Sequence, residues 1–249
     1  MTSVDLVNFE IDQFKKGWGK KLCFDRLTAK NVDSCLTHAL SDALNQGARR
    51  NKVEYKTKIN AILSSVKDDL IAIAKGKIPI SDANDYKQKF LRLKDEFITA
   101  LKNNGLGKLA TFGFAQKFIS MSFKYLYCFK KCVRKNLRFC YLPLDQYTID
   151  WYKKYGSENL INSFKSINFA WSKIDETLYF EIQSDIDDAL AKGIYYPINC
   201  KDLTQTVKLP KNKIQVEFIT WMQERLNDVY NNSLKVLKAY YDRLGIKEA

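Results

Sequence analysis

Glycine and proline are scarce in this chain, with ten Gly and four Pro among 249 residues. β-Sandwiches and barrels need many tight turns rich in both residue types, so the shortage favours long helices joined by short loops. No run of about 18 apolar residues occurs, which predicts that no segment crosses a membrane. Hydrophobic residues make up 46% of the chain and charged residues 28%, as in ordinary folded proteins. We therefore expect an all-α protein with a substantial core.

The segment from Met1 to Lys16 lacks the basic start and apolar stretch of a secretory signal, because acidic residues interrupt it. We therefore predict a cytoplasmic protein in which the six cysteines are reduced. Cys128, Cys132 and Cys140 follow one another, but zinc sites use tighter cysteine pairs or histidine ligands. His38 is the only histidine, so a catalytic triad would have to use it. The sequence predicts no metal site and no small-molecule cofactor.

Acidic residues are absent from the long stretch between Phe97 and Leu144, although the chain has 28 Asp and Glu in total. The formal net charge is +13. Such a surplus favours a polyanionic partner, because basic residues displace the counterions condensed on nucleic acid. Charge scattered over the surface is the plainer alternative, but here much of it is concentrated in one aromatic-rich stretch. The predicted DNA-binding residues are Lys108, Gly113, Lys124, Lys130, Lys131, Arg134, Lys135 and Arg138.

Apolar residues recur at helical spacing along most of the chain, which predicts a series of amphipathic helices. Glycine, asparagine, serine and proline at the edges of these patterns indicate where each helix starts or stops. The predicted helices cover 31–45, 52–75, 82–102, 114–135, 144–155, 176–192 and 214–244, and 204–208 is either irregular or a short strand. The short loops predict one compact helical domain over 1–249. Its two lobes are predicted as 1–104 with the C-terminal helices, and 105–200 around a hairpin.

The segment 105–156 contains, in order, a glycine-containing hairpin, a helix, a loop, a Pro-x-Asp element and a second helix. The start of the first helix reads Phe112-Gly113-Phe114-Ala115-Gln116-Lys117-Phe118, and the later element reads Leu142-Pro143-Leu144-Asp145-Gln146-Tyr147. This order resembles the helix-hairpin-helix DNA glycosylase superfamily, and within it the archaeal 8-oxoguanine DNA glycosylase branch. The resemblance implies a two-lobed helical bundle with a helix-hairpin-helix element.

The resemblance also implies chemical roles for one lysine and one aspartate. Lys117 matches the catalytic lysine, which attacks C1′ of the nucleoside and forms a Schiff base. Asp145 matches the aspartate that assists proton movement and stabilises positive charge on the sugar. On physical grounds alone, a carboxylate at a helix N-terminus is favoured by the helix dipole, and a lysine among apolar side chains can supply a neutral amine. The plainer alternatives are a surface lysine and an N-cap aspartate.

Glu217 and Trp221 form a second cluster, because residues four apart share one face of a helix. The pair is similar to the acid and tryptophan with which the archaeal branch holds a flipped base. An extruded base must regain stacking and hydrogen bonds, which such a pair can supply. We predict a base pocket made of Glu217, Trp221, Gln116 and Tyr147. A tryptophan that simply packs in the core is the alternative.

These features predict a DNA glycosylase, in base-excision repair or phage defence, that binds duplex DNA, flips one nucleotide and excises its base. The base would be 8-oxoguanine-like or a modified base of foreign DNA, with or without Schiff-base lyase chemistry. DNA is the expected partner, without a membrane or a cofactor. The alternative is a non-catalytic helical DNA- or RNA-binding protein of a phage or host defence system. A third interpretation, a basic partner of proteins or anionic membranes, would be favoured by nucleic-acid binding that depends little on salt.

Overall fold

The computed structural model describes residues 3–18, 21–165, 170–200 and 203–225. Helices account for most of these residues, which confirms the all-α prediction. The α-helices are α1 (Ser3–Trp18), α2 (Ala29–Asn51), α3 (Ile59–Leu63), α4 (Lys67–Ala74), α5 (Ala83–Asn103), α6 (Phe112–Tyr127), α7 (Gln146–Tyr155), α8 (Glu158–Lys165), α9 (Glu176–Lys192) and α10 (213–225). Short 3₁₀ helices lie at Lys56–Lys58, Gly107–Leu109, Arg134–Phe139 and Trp171–Lys173. The strands β1 (Tyr195–Cys200) and β2 (Leu203–Lys208) pair antiparallel, with Tyr195 opposite Lys208.

Helix α6 lies at the centre of the fold, because every residue from Gly113 to Tyr127 is buried. Its sequence is largely apolar or aromatic on all sides, as expected of a helix that other elements surround. Helices α2, α4 and α5 pack against it. The buried apolar side chains form one continuous cluster that extends from Leu6 of α1 to Ile219 of α10. The polar residues of α6 must consequently find their partners inside the protein.

Helix α2 continues through Gly47, where the sequence predicted a stop, and ends only at Asn51. The next residue, Lys52, adopts the left-handed conformation with φ of 51°. Gly47 serves packing instead, because a Cβ at this position would overlap the ring of Phe114 from α6. The prediction was wrong because a glycine needed for close helix packing and a glycine that stops a helix look alike in sequence.

We expect Gly47→Ala to destabilise the protein by about 1–3 kcal/mol, because the added methyl group must displace the Phe114 ring in a packed core. Gly17→Ala is the matched control, since no atom of the described residues lies within 4 Å of a Cβ built at Gly17 of α1. There alanine should leave stability unchanged or raise it slightly, because it has the higher helix propensity. Urea unfolding of both variants measures the two effects. Equal stabilities would contradict the tight packing of α2 on α6.

The helix predicted over 52–75 begins only at Ile59, after the 3₁₀ helix at Lys56–Lys58, and is divided into α3 and α4 by a break at 64–66. The hydroxyl groups of Ser64 and Ser65 donate to the carbonyl oxygens of Ala61 and Ile62, each at 2.9 Å. Serine side chains that bond to nearby backbone compete with helical hydrogen bonding in this way. The prediction of one helix was wrong because apolar spacing continues across the break and conceals it.

The aromatic helix predicted over 114–135 ends early, at Tyr127. Beyond it, the backbone N–H of Val133 donates to the carbonyl of Ala74 at 2.8 Å. The side-chain amide of Asn136 donates to the carbonyl oxygens of Ile73 in α4 and of Ile78 after it, at 2.9 and 3.0 Å. These long-range bonds hold the basic segment in turns and in a 3₁₀ helix. The predicted helix end was therefore wrong, and the basic residues that follow α6 do not lie on one continuous helix face.

The helices predicted at 82–102, 144–155 and 176–192 correspond to α5, α7 and α9. Residues 204–208, predicted as either irregular or a short strand, belong to β2. The last predicted helix starts as α10, but 226–244 lies outside the described residues. The α5–α6 connection holds Gly105 at a positive φ of 69° and one 3₁₀ turn; a helix-hairpin-helix motif there, and the division into two lobes, remain predictions. In the described part of the chain, every helix is too short or too polar to span a lipid bilayer.

Helix α1 carries a buried acid, Glu10, which is 2% exposed. Burial raises its pKa to about 7, and a hydrogen bond with Gln223 of α10 opposes the shift. The folded protein therefore holds this proton more tightly than the unfolded chain, in which a glutamate has a pKa of about 4.3. The resulting contribution to stability is complete below about pH 4.3 and is lost as the pH rises to about 7.

Glu10→Gln is expected to remove this pH dependence. The variant should match the wild type at about pH 4 and exceed its stability at about pH 8 by up to about 3 kcal/mol, because an amide remains neutral without a proton. Thermal unfolding at both pH values measures the difference. Glu181→Gln is the control, since Glu181 is exposed on α9. A Glu10→Gln effect of the same size at both pH values would contradict this interpretation.

Candidate functional site

Lys117 is positioned by the start of α6. The Thr111 side chain caps this helix and also donates to the Ser172 carbonyl at 3.1 Å. These bonds tie the first turn of α6 to the 3₁₀ helix that begins at Trp171. The Lys117 Nζ consequently lies 4.5 Å from the centre of the Trp171 ring. This cation–π contact holds the amine in place, since the face of an indole attracts a cation.

Gly113 is part of the same contact and is buried. A Cβ at this position would lie 2.5 Å from the Trp171 carbonyl oxygen. Glycine is therefore required so that the two backbones can approach closely. The DNA contact predicted for Gly113 is wrong, because the residue packs against protein backbone.

Gln116 brings Asp145 towards Lys117. Its amide nitrogen donates to the Leu144 carbonyl at 2.9 Å, and its amide oxygen accepts from the Leu144 N–H at 3.1 Å. The two bonds fix the residue before Asp145 against α6. Gln116 is fully buried and does not line the adjacent cavity. Its predicted place in a base pocket is therefore wrong, and it is a positioning residue.

Asp145 meets Lys117 where α7 begins beside α6. Its Oδ2 lies 3.6 Å from the Lys117 Nζ, and the aspartate and lysine side chains are only 9% and 11% exposed. The Oδ1 accepts hydrogen bonds from the backbone N–H and the hydroxyl group of Thr148, at 3.2 and 3.4 Å, and so caps α7. One carboxylate thus caps a helix and pairs with an amine at the same time. The capping bonds fix its orientation relative to Lys117.

Lys117 and Asp145 line a cavity of about 580 Å³ whose other walls come from α1, α2 and α10. Of the predicted pocket residues, Tyr147 and Trp221 line it. Their rings meet edge to face, with centroids 6.0 Å apart. Sites for small ligands typically have volumes of about 300–1,000 Å³, so the cavity can admit one nucleotide. Two of the four predicted pocket residues thus lie in the same cavity as Lys117 and Asp145, and the chemical roles of all these residues stay predictions.

Lys124 and Glu217 form a buried ion pair at the inner wall of this cavity. The Lys124 Nζ lies 2.6 Å from the Glu217 Oε2, and each side chain is 1% exposed. The same Nζ is 4.6 Å from the centre of the Trp221 ring. Burial raises the pKa of Glu217, and the nearby Lys124 opposes this shift. The predicted phosphate contact of Lys124 is wrong because its side chain is inside the protein. The predicted place of Glu217 in the base pocket is also wrong, because Glu217 is buried behind Lys124 and does not line the cavity.

The polar face of α2 forms a wall that the sequence did not predict. Ser41, Asp42, Asn45 and Gln46 all line the cavity. Burial raises the pKa of Asp42, and its Oδ2 accepts a hydrogen bond from the Tyr125 hydroxyl at 2.8 Å. These residues lie on the polar side of an ordinary amphipathic helix, so only the packing of α2 on α6 identifies them. They supply donors and acceptors at a cavity otherwise rich in aromatic rings.

The remaining predicted DNA-binding residues are exposed. They are Lys108, Lys130, Lys131, Arg134, Lys135 and Arg138. Lys130 pairs with the exposed Asp25 at 3.0 Å. The Arg134 and Arg138 guanidinium groups lie 4.8 and 4.4 Å from the ring centres of Tyr127 and Phe139. Stacking of this kind orients an arginine and leaves its N–H donors available to phosphate.

The three cysteines that follow one another in sequence, Cys128, Cys132 and Cys140, are free thiols. Cys128 and Cys140 are buried in the core, and burial raises the pKa of Cys132 to about 12. Thiols in such surroundings are unreactive. Among the residues that the structure describes, no three His, Cys, Asp or Glu side chains converge as metal ligands would.

No protein-family model, curated protein or solved structure matches this chain. Any assignment of function therefore depends on the residues and the geometry described above.

Proposed function

We propose that this protein is a DNA glycosylase that accepts a flipped nucleotide in the cavity beside Lys117 and excises its base. The observation that carries the proposal is the 3.6 Å approach of the Lys117 Nζ to the Asp145 Oδ2 on the wall of a cavity of about 580 Å³. An amine and a carboxylate from different helices meet where a substrate can reach them. A purely structural ion pair has no need of such a cavity.

The cavity walls suit a nucleobase. An extruded base loses the stacking of its neighbours and must regain it from aromatic side chains, which Tyr147 and Trp221 provide. The edge of the base needs hydrogen-bond partners, which the polar face of α2 provides through Asp42 and Asn45. The substrate class is thus a nucleotide whose base is read by an acid and an amide.

The reacting groups have complementary tasks. As the bond between C1′ and the base breaks, the base departs with the bonding electrons and takes up a proton from water, and positive charge develops on the sugar. The Asp145 carboxylate stabilises that charge in a site with little water. The hydroxide left by that water takes a proton from the Lys117 ammonium, and the resulting amine attacks C1′; ring opening of the product yields the Schiff base, which water hydrolyses. If water attacks instead, Asp145 acts alone and no covalent intermediate forms.

The exposed basic residues suit the phosphate backbone. Lys131, Arg134 and Lys135 lie close together in sequence on the segment that follows α6, and they are exposed. Contacts of this kind position DNA and make its affinity depend on salt, but they read no sequence. The base pocket, rather than this surface, therefore determines the selectivity.

Borohydride trapping tests the proposal. Wild-type protein is incubated with duplex oligonucleotides that carry 8-oxoguanine, other modified bases or an abasic site, and released base and covalent adduct are measured. We expect release from at least one lesion and an adduct that Lys117→Ala abolishes. Lys153→Ala is the control, since Lys153 is exposed on α7. Release without an adduct would indicate a monofunctional enzyme, and neither product over the whole panel would leave only a helical nucleic-acid binder.

A further inference from the structure

A second cavity, of about 640 Å³, lies among the start of α5, the 3₁₀ helix at 134–139, α9 and the start of α10. Among the residues that the structure describes, it shares no lining residue with the cavity beside Lys117. The described part of its lining contains four cationic side chains and a single acid. The cations are Lys87, Arg138, Lys211 and Lys213, and the acid is Asp187.

Aromatic rings orient three of the cations. The Lys87 Nζ lies 4.2 Å from the centre of the Phe180 ring, and the Arg138 guanidinium lies 4.4 Å from that of Phe139. The Lys213 Nζ is 4.9 Å from the centre of the Tyr141 ring. A cation over an aromatic face is held without losing its charge to a carboxylate. The charges of Lys87 and Arg138 are thus held in place and still available to a ligand.

The single acid is already engaged. Lys213 is 4% exposed, and its Nζ lies 2.6 Å from the Asp187 Oδ2. Lys87, Arg138 and Lys211 form no ion pair with any residue that the structure describes. Three cations therefore surround this cavity without a counter-ion from the described residues. Holding like charges around a concave site is unfavourable unless an anion binds there.

The beginning of α10 adds to the positive potential. Asn212 caps this helix by accepting hydrogen bonds from the Ile214 and Gln215 N–H groups, at 3.0 and 3.4 Å. The N-terminal end of a helix carries a partial positive charge. Arg138 also belongs to the exposed basic segment, so the cavity continues the surface on which the proposed DNA contacts lie.

From these observations we infer that this second cavity binds a phosphate group, and we assign that phosphate to the DNA backbone away from the flipped nucleotide. The inference rests on the proposed function only in taking DNA as the partner. A phosphate has the charge and the acceptor oxygens that Lys87, Arg138 and Lys211 require. A free nucleotide offers the same phosphate chemistry, and the experiment distinguishes the two sources.

The test uses Lys87→Ala/Lys211→Ala, because neither residue belongs to the basic segment 130–138. Affinity for an undamaged duplex oligonucleotide is measured over a range of salt concentrations. We expect the dissociation constant to rise by about tenfold or more. The slope of log affinity against log salt concentration should become less steep by about 2, since each lost phosphate contact removes about 0.9. Lys30→Ala/Lys56→Ala is the control; both lysines are exposed outside the cavity. Unchanged melting temperatures establish that both variants are folded.

A second measurement separates the sources of phosphate. Adenosine monophosphate and inorganic phosphate are added to wild type and to the double variant, and the melting temperature is followed. If the DNA salt slope is unchanged and the nucleotide stabilises only the wild type, the backbone assignment is overturned in favour of a free nucleotide. If the salt slope is unchanged and both proteins respond equally to the added phosphate compounds, the cavity is not a phosphate site. Neither result depends on base excision, so failure of the glycosylase proposal is recognised separately.

Discussion

Asp145→Asn is expected to lower the rate of base release by a factor of about 10²–10⁴ and to leave the protein folded. The substitution removes the charge that would stabilise the developing cation on the sugar. It keeps the side-chain oxygen that accepts from the Thr148 N–H, and asparagine caps helices about as well as aspartate. Single-turnover excision on a substrate identified by the lesion panel measures the rate.

Asp175→Asn is the matched control for this variant. Asp175 caps α9 in the same way, accepting from the Leu178 N–H at 2.9 Å, but it is exposed and does not line the cavity. It should leave both stability and excision unchanged. If Asp145→Asn loses activity only in proportion to a loss of folded protein, Asp145 serves as a cap and its assigned role in the chemistry is refuted.

Removing one partner of the Lys124–Glu217 pair is expected to destabilise the protein by about 3–5 kcal/mol. In Glu217→Leu the Lys124 ammonium would remain buried without a counter-ion, and in Lys124→Met the same would hold for the Glu217 carboxylate. Both side chains are 1% exposed, so water cannot compensate. Urea unfolding of the two single variants gives the two free energies.

The double variant Lys124→Met/Glu217→Leu should recover much of this loss, because two apolar side chains leave no buried charge. The four proteins make a double-mutant cycle whose coupling energy isolates the pair. Lys130→Met is the control, because Lys130 and Asp25 also form a lysine–carboxylate pair but their side chains are 73% and 72% exposed. Breaking this exposed pair should change the free energy of unfolding little. Additive single effects in the buried pair would show that the two charges do not depend on each other.

Local signals in the sequence were sufficient for much of the architecture. Helices α5, α7 and α9 begin at aspartates that cap them, and the apolar spacing within them was correctly interpreted as helical. The convergence of Lys117 and Asp145 was also anticipated, although from a resemblance rather than from spacing. Lys117 and Lys124 lie seven residues apart, on one face of α6. This spacing could have predicted that Lys124 lines the same cavity as Lys117.

The errors share a physical cause. Sequence periodicity assigns polar residues to the solvent side of a helix, but α6 has no solvent side, so Gln116 and Lys124 find partners within the protein. Gly47 was interpreted as a helix stop and Gly113 as a DNA contact, whereas each is required by a neighbouring element that packs closely. The wall formed by α2 has no motif and arises only from docking against α6.

Composition and local pattern by themselves determined that this protein is helical, rich in positive charge between α5 and α7, and equipped with a lysine and an aspartate at two helix starts. These properties depend on residues close in sequence, whose backbone preferences and charges add up without knowledge of the fold. Only the tertiary structure decided which charges are buried, which glycines are contact points and which polar residues surround the cavity. Burial and partnership depend on distant segments meeting, and the free energy of each charged group depends on what it meets.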